Sequence, residues 1–252
     1  MTDNLIVGRQ PVLEALKSRQ SIERILILHG TSGGHVEQMK QLARKLAIPV
    51  KETDKGRFAE LARDLVTQGI IAIIDSYRYA EIEEILAVAQ TKNEAPFILI
   101  LDEIEDPHNL GALIRSAECA GVHGVIIPLH NAASVNSTVA KTSAGATAHL
   151  PIARVINIAQ TLDELKKAGV WIVGTEMESD ILYYTHDYRG ALGIVVGNEG
   201  KGIRRLVKEK CDFLVKIPMH GKIESLNASV AGALVMFEAA KSRMLNSDTK
   251  KQ

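Results

Sequence analysis

Five short aliphatic runs alternate with helical stretches through the second half of this 252-residue chain, and that alternation leaves few folds open. Residues 97–101, 125–128, 170–174, 192–196 and 213–217 have the length and apolar continuity of buried strands. Residues 110–120, 159–168, 203–210 and 227–244 have helical spacing and lie between or after them. Strand–helix alternation of this kind predicts an α/β domain with a mostly parallel sheet covered on both faces. In such sheets ligands sit beyond the carboxyl ends of the strands, so the informative residues should follow Leu101, Gly174, Val196 and Ile217.

The first 75 residues show the same rhythm on a smaller scale: helix 11–19, strand 24–28, helix 37–47, strand 48–51, helix 57–67 and strand 70–74. Between the halves, residues 81–94 (EIEEILAVAQTKNE) hold four Glu against one Lys and predict a short solvated helix joining two domains. The expected division is a domain at 1–76, a linker at 77–95 and a second domain at 96–252. No internal repeat or low-complexity segment interrupts it.

Hydrophobic residues make up 46% of the chain, enough to offset chain entropy and exclude intrinsic disorder. The longest aliphatic runs are five residues, against about 20 for a membrane span, and the first ten residues carry no secretion pattern. Two isolated cysteines exclude a disulfide framework, and a soluble, cytoplasmic protein is expected. Thirty basic residues against thirty acidic ones remove any global basic field. The balance hides local polarity: residues 1–80 hold 12 basic and 9 acidic side chains, and residues 201–222 hold seven basic and two. That second stretch is either a solvated helix face or a phosphate-contacting patch.

Four segments at strand ends hold candidate chemistry. Residues 102–111 (DEIEDPHNLG) lead into a helix, with Asn109 expected as its N-cap. Arg115 follows Gly111 by one helical turn, over the gap of a missing side chain; an ion pair with Glu118 is the alternative reading. Gly174 and Thr175 end a strand, as a ligand contact or merely a turn. Residues 193–202 (GIVVGNEGKG) run from strand into a loop with glycines at 197, 200 and 202, exposing backbone to a ligand. The glycine order fits neither a nucleoside-triphosphate nor a dinucleotide loop. Residues 217–227 (IPMHGKIESLN) precede an apolar helix that Ser225 or Asn227 can cap, followed by small residues at 228 and 231–233 suited to close packing within the chain or across a dimer. No zinc-ligand spacing and no nucleophile elbow appear, and Cys119 is expected as a buried structural thiol.

In this order the segments resemble the SpoU/TrmH family of RNA ribose 2′-O-methyltransferases. Residues 109–115 (NLGALIR) resemble its first motif and 197–202 (GNEGKG) its second. Residues 217–221 (IPMHG) with 225–230 (SLNASV) resemble the third, with Ala228 where Val is frequent. Residues 6–16 (IVGRQPVLEAL) resemble the opening of the family's ribosomal-RNA branch, where an L30e-like domain precedes the catalytic one. The resemblance implies a SPOUT fold with a C-terminal trefoil knot, a homodimer, and S-adenosylmethionine (AdoMet) held by Thr175, Gly197, Ile217, Pro218 and Leu226. It implies catalytic roles for Arg115, with Asn109, Glu199, Ser225 and Asn227 around it. Arg9, Lys201, Arg204 and Arg205 are expected to contact RNA, and no metal is implied. A guanidinium holds its proton too tightly to serve as an ordinary base, so Arg115 is expected to orient the ribose–phosphate and acidify the 2′-OH by its charge.

The expected substrate is a guanosine of 23S rRNA, with tRNA as the close alternative. A non-catalytic RNA-binding protein and an NAD-dependent oxidoreductase are the other classes, the latter disfavoured by the glycine order.

Overall fold

The computed structural model describes residues 5–18, 22–62, 65–74, 77–222 and 225–249. The expected helical position Arg19, residues 63–64 of the helix expected at 57–67, and residues 223–224 of the third motif's loop lie outside these. The chain forms two units, divided between Arg78 and Tyr79.

The first unit runs β1 (Leu5–Val7), α1 (Arg9–Lys17), β2 (Ile22–Leu28), α2 (Gly34–Lys45), β3 (Val50–Thr53), α3 (Lys55–Leu61) and β4 (Ile70–Ile74). Its sheet has the order β1-β4-β2-β3, with β2 and β3 parallel and the other pairs antiparallel. Side chains alternate across it. Ile25, Ile27, Ile70 and Ala72 pack under α1 and α2 on one face, while Leu26 and Ile71 meet Phe58 of α3 on the other.

The second unit contains α4 (Ile82–Thr91), β5 (Phe97–Leu101), α5 (Pro107–Cys119), β6 (Gly124–Pro128), α6 (Ser137–Thr142) and β7 (Ile152–Val155). It continues through α7 (Ile158–Lys167), β8 (Trp171–Thr175), β9 (Leu192–Val196), α8 (Arg205–Lys208), β10 (Phe213–Val215) and α9 (Ala228–Thr249). Its six strands are all parallel, in the order β10-β8-β9-β5-β6-β7. β5 and β9 pair over their whole lengths at the centre, which explains why both are five-residue runs with every residue buried. Ile98 and Ile100 join α4, α7 and α8 in one core, and α5 packs with α6 and α9.

The stretch 77–95 is not a solvated linker. Its helix α4 buries Ile85 and Ala89 and packs Ile82 and Leu86 against the second unit's core, and a Glu81/Glu84 capping box starts it. Acidic residues fill only the outer face, so the charge count concealed an amphipathic helix. Gly124 makes room for it, because a Cβ there would stand 2.6 Å from Ile85. No helix among the described residues is long and apolar enough to cross a membrane.

A buried histidine ties the end of α4 to the start of β5. The fully buried His123 accepts the Phe97 N–H at Nδ1 (2.9 Å), so its proton sits on Nε2, facing Glu94 at 3.1 Å. Burial pushes its pKa below the ordinary value of 6.5, against the pull of Glu94, while Lys92 and Arg243 nearby also disfavour a second proton. Because the folded pKa is the lower one, this contribution is complete above about pH 6.5 and is lost as pH falls below it. The melting temperature of wild type is expected to fall between pH 7 and pH 5. In His123→Asn the slope should flatten, and a parallel curve would assign the acid sensitivity elsewhere.

Candidate active site

The carboxyl ends of β8, β9 and β10 converge on one cavity of about 230 Å³. Thr175 and Glu176 line it from β8, Gly197 to Gly202 from the loop after β9, Val215, Ile217 and Met219 from beyond β10, and Ser225, Leu226, Ala228 and Ala231 from the start of α9.

The glycine loop is shaped by close approach. A Cβ on Gly197 would lie 2.3 Å from the carbonyl carbon of Gly202 and 2.4 Å from Ile203 N, so only glycine lets the two backbone stretches cross. Asn198 and Gly202 exchange backbone hydrogen bonds (3.1 and 2.8 Å), and Gly202 takes a positive φ of 67°. The Asn198 side chain accepts the Gly200 and Lys201 N–H groups at Oδ1 and donates from Nδ2 to the Glu103 carbonyl (3.1 Å). Glu103 itself sits at φ 59°, a left-handed conformation that a non-glycine residue holds only where its surroundings enforce it.

Beneath this loop lies an ion pair between a buried carboxylate and a partly exposed guanidinium. Asp102 is fully buried at the end of β5 and accepts the Arg204 backbone N–H (2.8 Å), Nε (2.9 Å) and Nη2 (2.6 Å). Glu103 stands 3.6 Å from the same guanidinium, whose pKa is raised mainly by its hydrogen bond to Asp102.

Three of the five expected catalytic residues form one hydrogen-bonded chain. Asn227 Nδ2 donates to Asn109 Oδ1 (2.8 Å), and Asn109 Nδ2 donates to Glu199. Asn227 Oδ1 also accepts from the backbone (2.9 Å) and hydroxyl (2.5 Å) of Ser229, capping α9. Ser225 is exposed at the cavity edge. Asn109 is not the N-cap of α5. Asp106 accepts the His108 N–H (2.9 Å) with Pro107 opening the helix, which frees Asn109 in the first turn to face Glu199.

Arg115 stands apart. It is exposed on α5 and does not line the cavity, and among the described residues its side chain makes no hydrogen bond or ion pair, with Glu118 or any other group. The gap expected beneath it is filled: a Cβ on Gly111 would meet Thr142 of α6 at 2.6 Å. Its neighbour Ser116 lines a shallow groove with Val230, Leu234 and Phe237 of α9, which are 47%, 37% and 49% exposed. Gly232 faces inward instead, where a Cβ would meet Leu113 at 2.5 Å, so part of the small-residue stripe serves packing within the chain.

Of the expected cofactor contacts, Thr175, Gly197, Ile217 and Leu226 line the cavity, whereas Pro218 does not. Glu176 of the strand-end segment and Met219 of the 217–221 segment line it too, together with Met177, which lies in none of the candidate segments. Lys201 is exposed at its rim. The basic stretch 201–222 is far less free than its count: besides Arg204, Arg205 pairs with Glu209 (2.6 Å), Lys208 with Glu176 (2.9 Å) and Lys210 with Asp163 (2.7 Å). Three of the acids involved, Asp102, Asp163 and Glu176, come from elsewhere in the chain. The Arg205 pair is exposed and weak enough for a phosphate to displace. In the first unit, Arg9 donates from Nε to the Gln68 carbonyl (3.3 Å). Cys119 is exposed at the end of α5 rather than buried, because its position faces away from the sheet. Burial pushes the Cys211 thiol up to about 12, out of reach of thiolate chemistry.

The chain matches known proteins along its length. The SpoU rRNA Methylase family profile covers residues 96–237, and the RNA 2′-O ribose methyltransferase substrate-binding profile covers residues 5–80. YacO of Bacillus subtilis strain 168, named as a TrmH family tRNA/rRNA methyltransferase, is 43% identical over 94% of this chain and 95% of its own length. A Staphylococcus saprophyticus protein of the same name is 44% identical over 96% and 97%. Among solved structures, the rRNA methyltransferase of Sinorhizobium meliloti superposes with a TM-score of 0.57 at 25% identity, covering 94% of this chain and 86% of that one. The A. aeolicus TrmH/SpoU tRNA modifying enzyme gives 0.57 at 28%, covering 66% and 85%. AviRb of Streptomyces viridochromogenes gives 0.61 at 25%, covering 96% and 90%. AviRb is also solved in complex with AdoMet, where the likeness is one of fold (TM-score 0.60, 24% identity, 96% and 90% covered).

Fold and site together define an RNA 2′-O-methyltransferase, in which the region matching the methylase family follows, in sequence, the region matching the substrate-binding family. The chain belongs to the SpoU rRNA methylase family, and its full-length relatives are TrmH-family enzymes.

Proposed function

We propose that this protein transfers the methyl group of AdoMet to the ribose 2′-OH of a guanosine in 23S rRNA, acting as a homodimer. The observation that carries the reading is the Asn227–Asn109–Glu199 chain beside a glycine-bordered cavity at the strand ends. That lining suits the cofactor. Backbone groups of the glycine loop and the Ser225 hydroxyl offer polar contacts, while Val215, Ile217, Met219 and Leu226 offer apolar surface for a flat base. Bound AdoMet would supply a methyl group already activated by the sulfonium charge.

The residues must then bring an oxygen into line and ease its proton away. Asn227 and Glu199 fix the Asn109 amide from both sides, so its orientation is set before RNA arrives. Glu199 has one oxygen committed to Asn109, which leaves the other for a ribose hydroxyl. Arg115 supplies a permanent positive charge that orients the ribose–phosphate and favours the 2′-oxyanion. Because Arg115 lies outside its own chain's cavity, next to the exposed apolar groove of α9, a second copy docked on that groove brings it to an active site. Phe237→Glu is therefore expected to give monomers by sedimentation that bind AdoMet yet transfer no methyl group. A dimeric or fully active variant would refute this use of the groove.

The extent of the structural matches favours rRNA over tRNA. The S. meliloti rRNA enzyme covers 94% of the chain, against 66% for the A. aeolicus tRNA enzyme. The resemblance of residues 6–16 to the ribosomal-RNA branch points the same way. The test is transfer of labelled methyl from AdoMet to separated 23S rRNA, 16S rRNA and tRNA. Label confined to 23S rRNA is expected; label confined to tRNA would move the protein to the tRNA branch.

A further inference from the structure

Glu176 is a carboxylate in the cavity wall that none of the sequence motifs contains. It follows the last residue of β8, and its backbone N–H donates to the Val215 carbonyl (2.9 Å), which fixes the start of its side chain at the seam between β8 and β10. The side chain is largely shielded, 17% exposed, yet it lines the cavity with Thr175 and Met177. One of its oxygens, Oε2, meets Lys208 Nζ of α8 at 2.9 Å, and no partner of the other is recorded among the described residues. A shielded acid inside a ligand cavity thus holds one oxygen on a lysine and keeps acceptor capacity on the other.

Its charge state narrows the class of ligand group. Lys208 offsets the negative charge of Glu176, so the pair offers hydrogen-bond acceptance with little net charge. That suits neutral O–H donors better than a cation. A vicinal diol is the densest such donor on a nucleoside, and a carboxylate just beyond a strand end is a general solution for a nucleotide ribose in parallel α/β sheets. The flanking Met177, Met219 and Leu226 give an adjacent base apolar contact.

We infer that Glu176, braced by Lys208, is the residue that binds the ribose diol of the cofactor and so selects an adenosine-type ligand. The inference rests on the AdoMet reading above. It separates Glu176 from Glu199, whose carboxylate is tied to Asn109.

Calorimetric binding of three probes tests it: S-adenosylhomocysteine, its 3′-deoxy analogue, and 5′-methylthioadenosine, which keeps the diol but lacks the amino-acid end. Wild type should bind both diol-bearing ligands and discriminate against the deoxy analogue. Glu176→Gln should weaken both diol-bearing ligands by about 10- to 100-fold and lose most of that discrimination. Glu176→Asp keeps the charge for Lys208 but withdraws the oxygen by one methylene. It should fall between the two, and it carries the test if the Gln variant melts early. Unchanged discrimination in both variants would overturn the inference. So would a Glu176→Gln loss confined to S-adenosylhomocysteine, which would place Glu176 at the amino-acid end. If wild type binds none of the probes, the AdoMet reading itself fails, a result distinct from either.

Discussion

Arg115→Ala is expected to lower kcat for RNA methylation by about 10²- to 10³-fold while leaving AdoMet affinity within about twofold of wild type. The split follows from placement. Arg115 is exposed on α5 and absent from the cavity lining, so it contributes nothing to holding the cofactor within its own chain. On the proposed mechanism its charge acts on the RNA oxygen, where negative charge grows only as the reaction proceeds. Arg115→Lys should recover part of the rate, because it keeps a point charge but not the planar fork that grips a ribose–phosphate. Rapid-quench turnover and calorimetry on the same preparations separate the two effects. Full turnover in Arg115→Lys would remove the fork from the account, and loss of AdoMet binding in Arg115→Ala would place Arg115 at the cofactor.

The second large effect belongs to Asp102. Asp102→Asn replaces a fully buried carboxylate that accepts three N–H groups of Arg204 with an amide whose own N–H₂ must point at one of those donors. Removing one partner of a buried pair costs about 3–5 kcal/mol. Because the Arg204 side chain is 44% exposed and can turn to water, about 2–4 kcal/mol is expected here. That corresponds to a drop in Tm on the order of 5–10 °C for a chain of this size. The effect should reach the site, since Arg204 follows directly on the crossing of Gly197 with Gly202 and Ile203. AdoMet affinity should fall along with Tm. A variant with lower Tm and unchanged affinity would mean that the glycine loop holds its shape without Asp102.

The central strands were legible because each is a five-residue run without a polar side chain: 70–74, 97–101 and 192–196 fall on the observed β4, β5 and β9. β7 was missed, since it is short and ends in Arg154-Val155, and α6 was missed because Ser137-Thr-Val-Ala-Lys-Thr142 has no apolar stripe. The helical spacing of α4 is plain in its sequence, but its exposed acids mask the Ile85 and Ala89 that dock on the core. At the site, motif order located Asn109, Glu199 and Asn227, and the structure joins them by hydrogen bonds. What one-dimensional reading could not reach were pairs distant in sequence. Asp102 and Arg204 are 102 positions apart, and Glu176 meets Lys208 across the β8–α8 connection. The same blindness made residues 201–222 look like a free basic patch, when three of its seven basic residues are answered by acids from other elements. Of the basic residues proposed to contact RNA in this unit, Lys201 and Arg205 are exposed, and Arg205 meets Glu209 at the surface.

The Asn109–Glu199–Asn227 site, completed by Arg115, is proposed to methylate a ribose oxygen rather than a base. Digestion of RNA labelled by this protein from methyl-tritiated AdoMet, followed by nucleoside chromatography before and after alkaline hydrolysis, reads that atom directly. Label is expected in 2′-O-methylguanosine within an alkali-resistant dinucleotide, and about 10²- to 10³-fold less of it with Arg115→Ala at matched enzyme and time. Label in a base-methylated mononucleotide released by alkali would contradict that proposal.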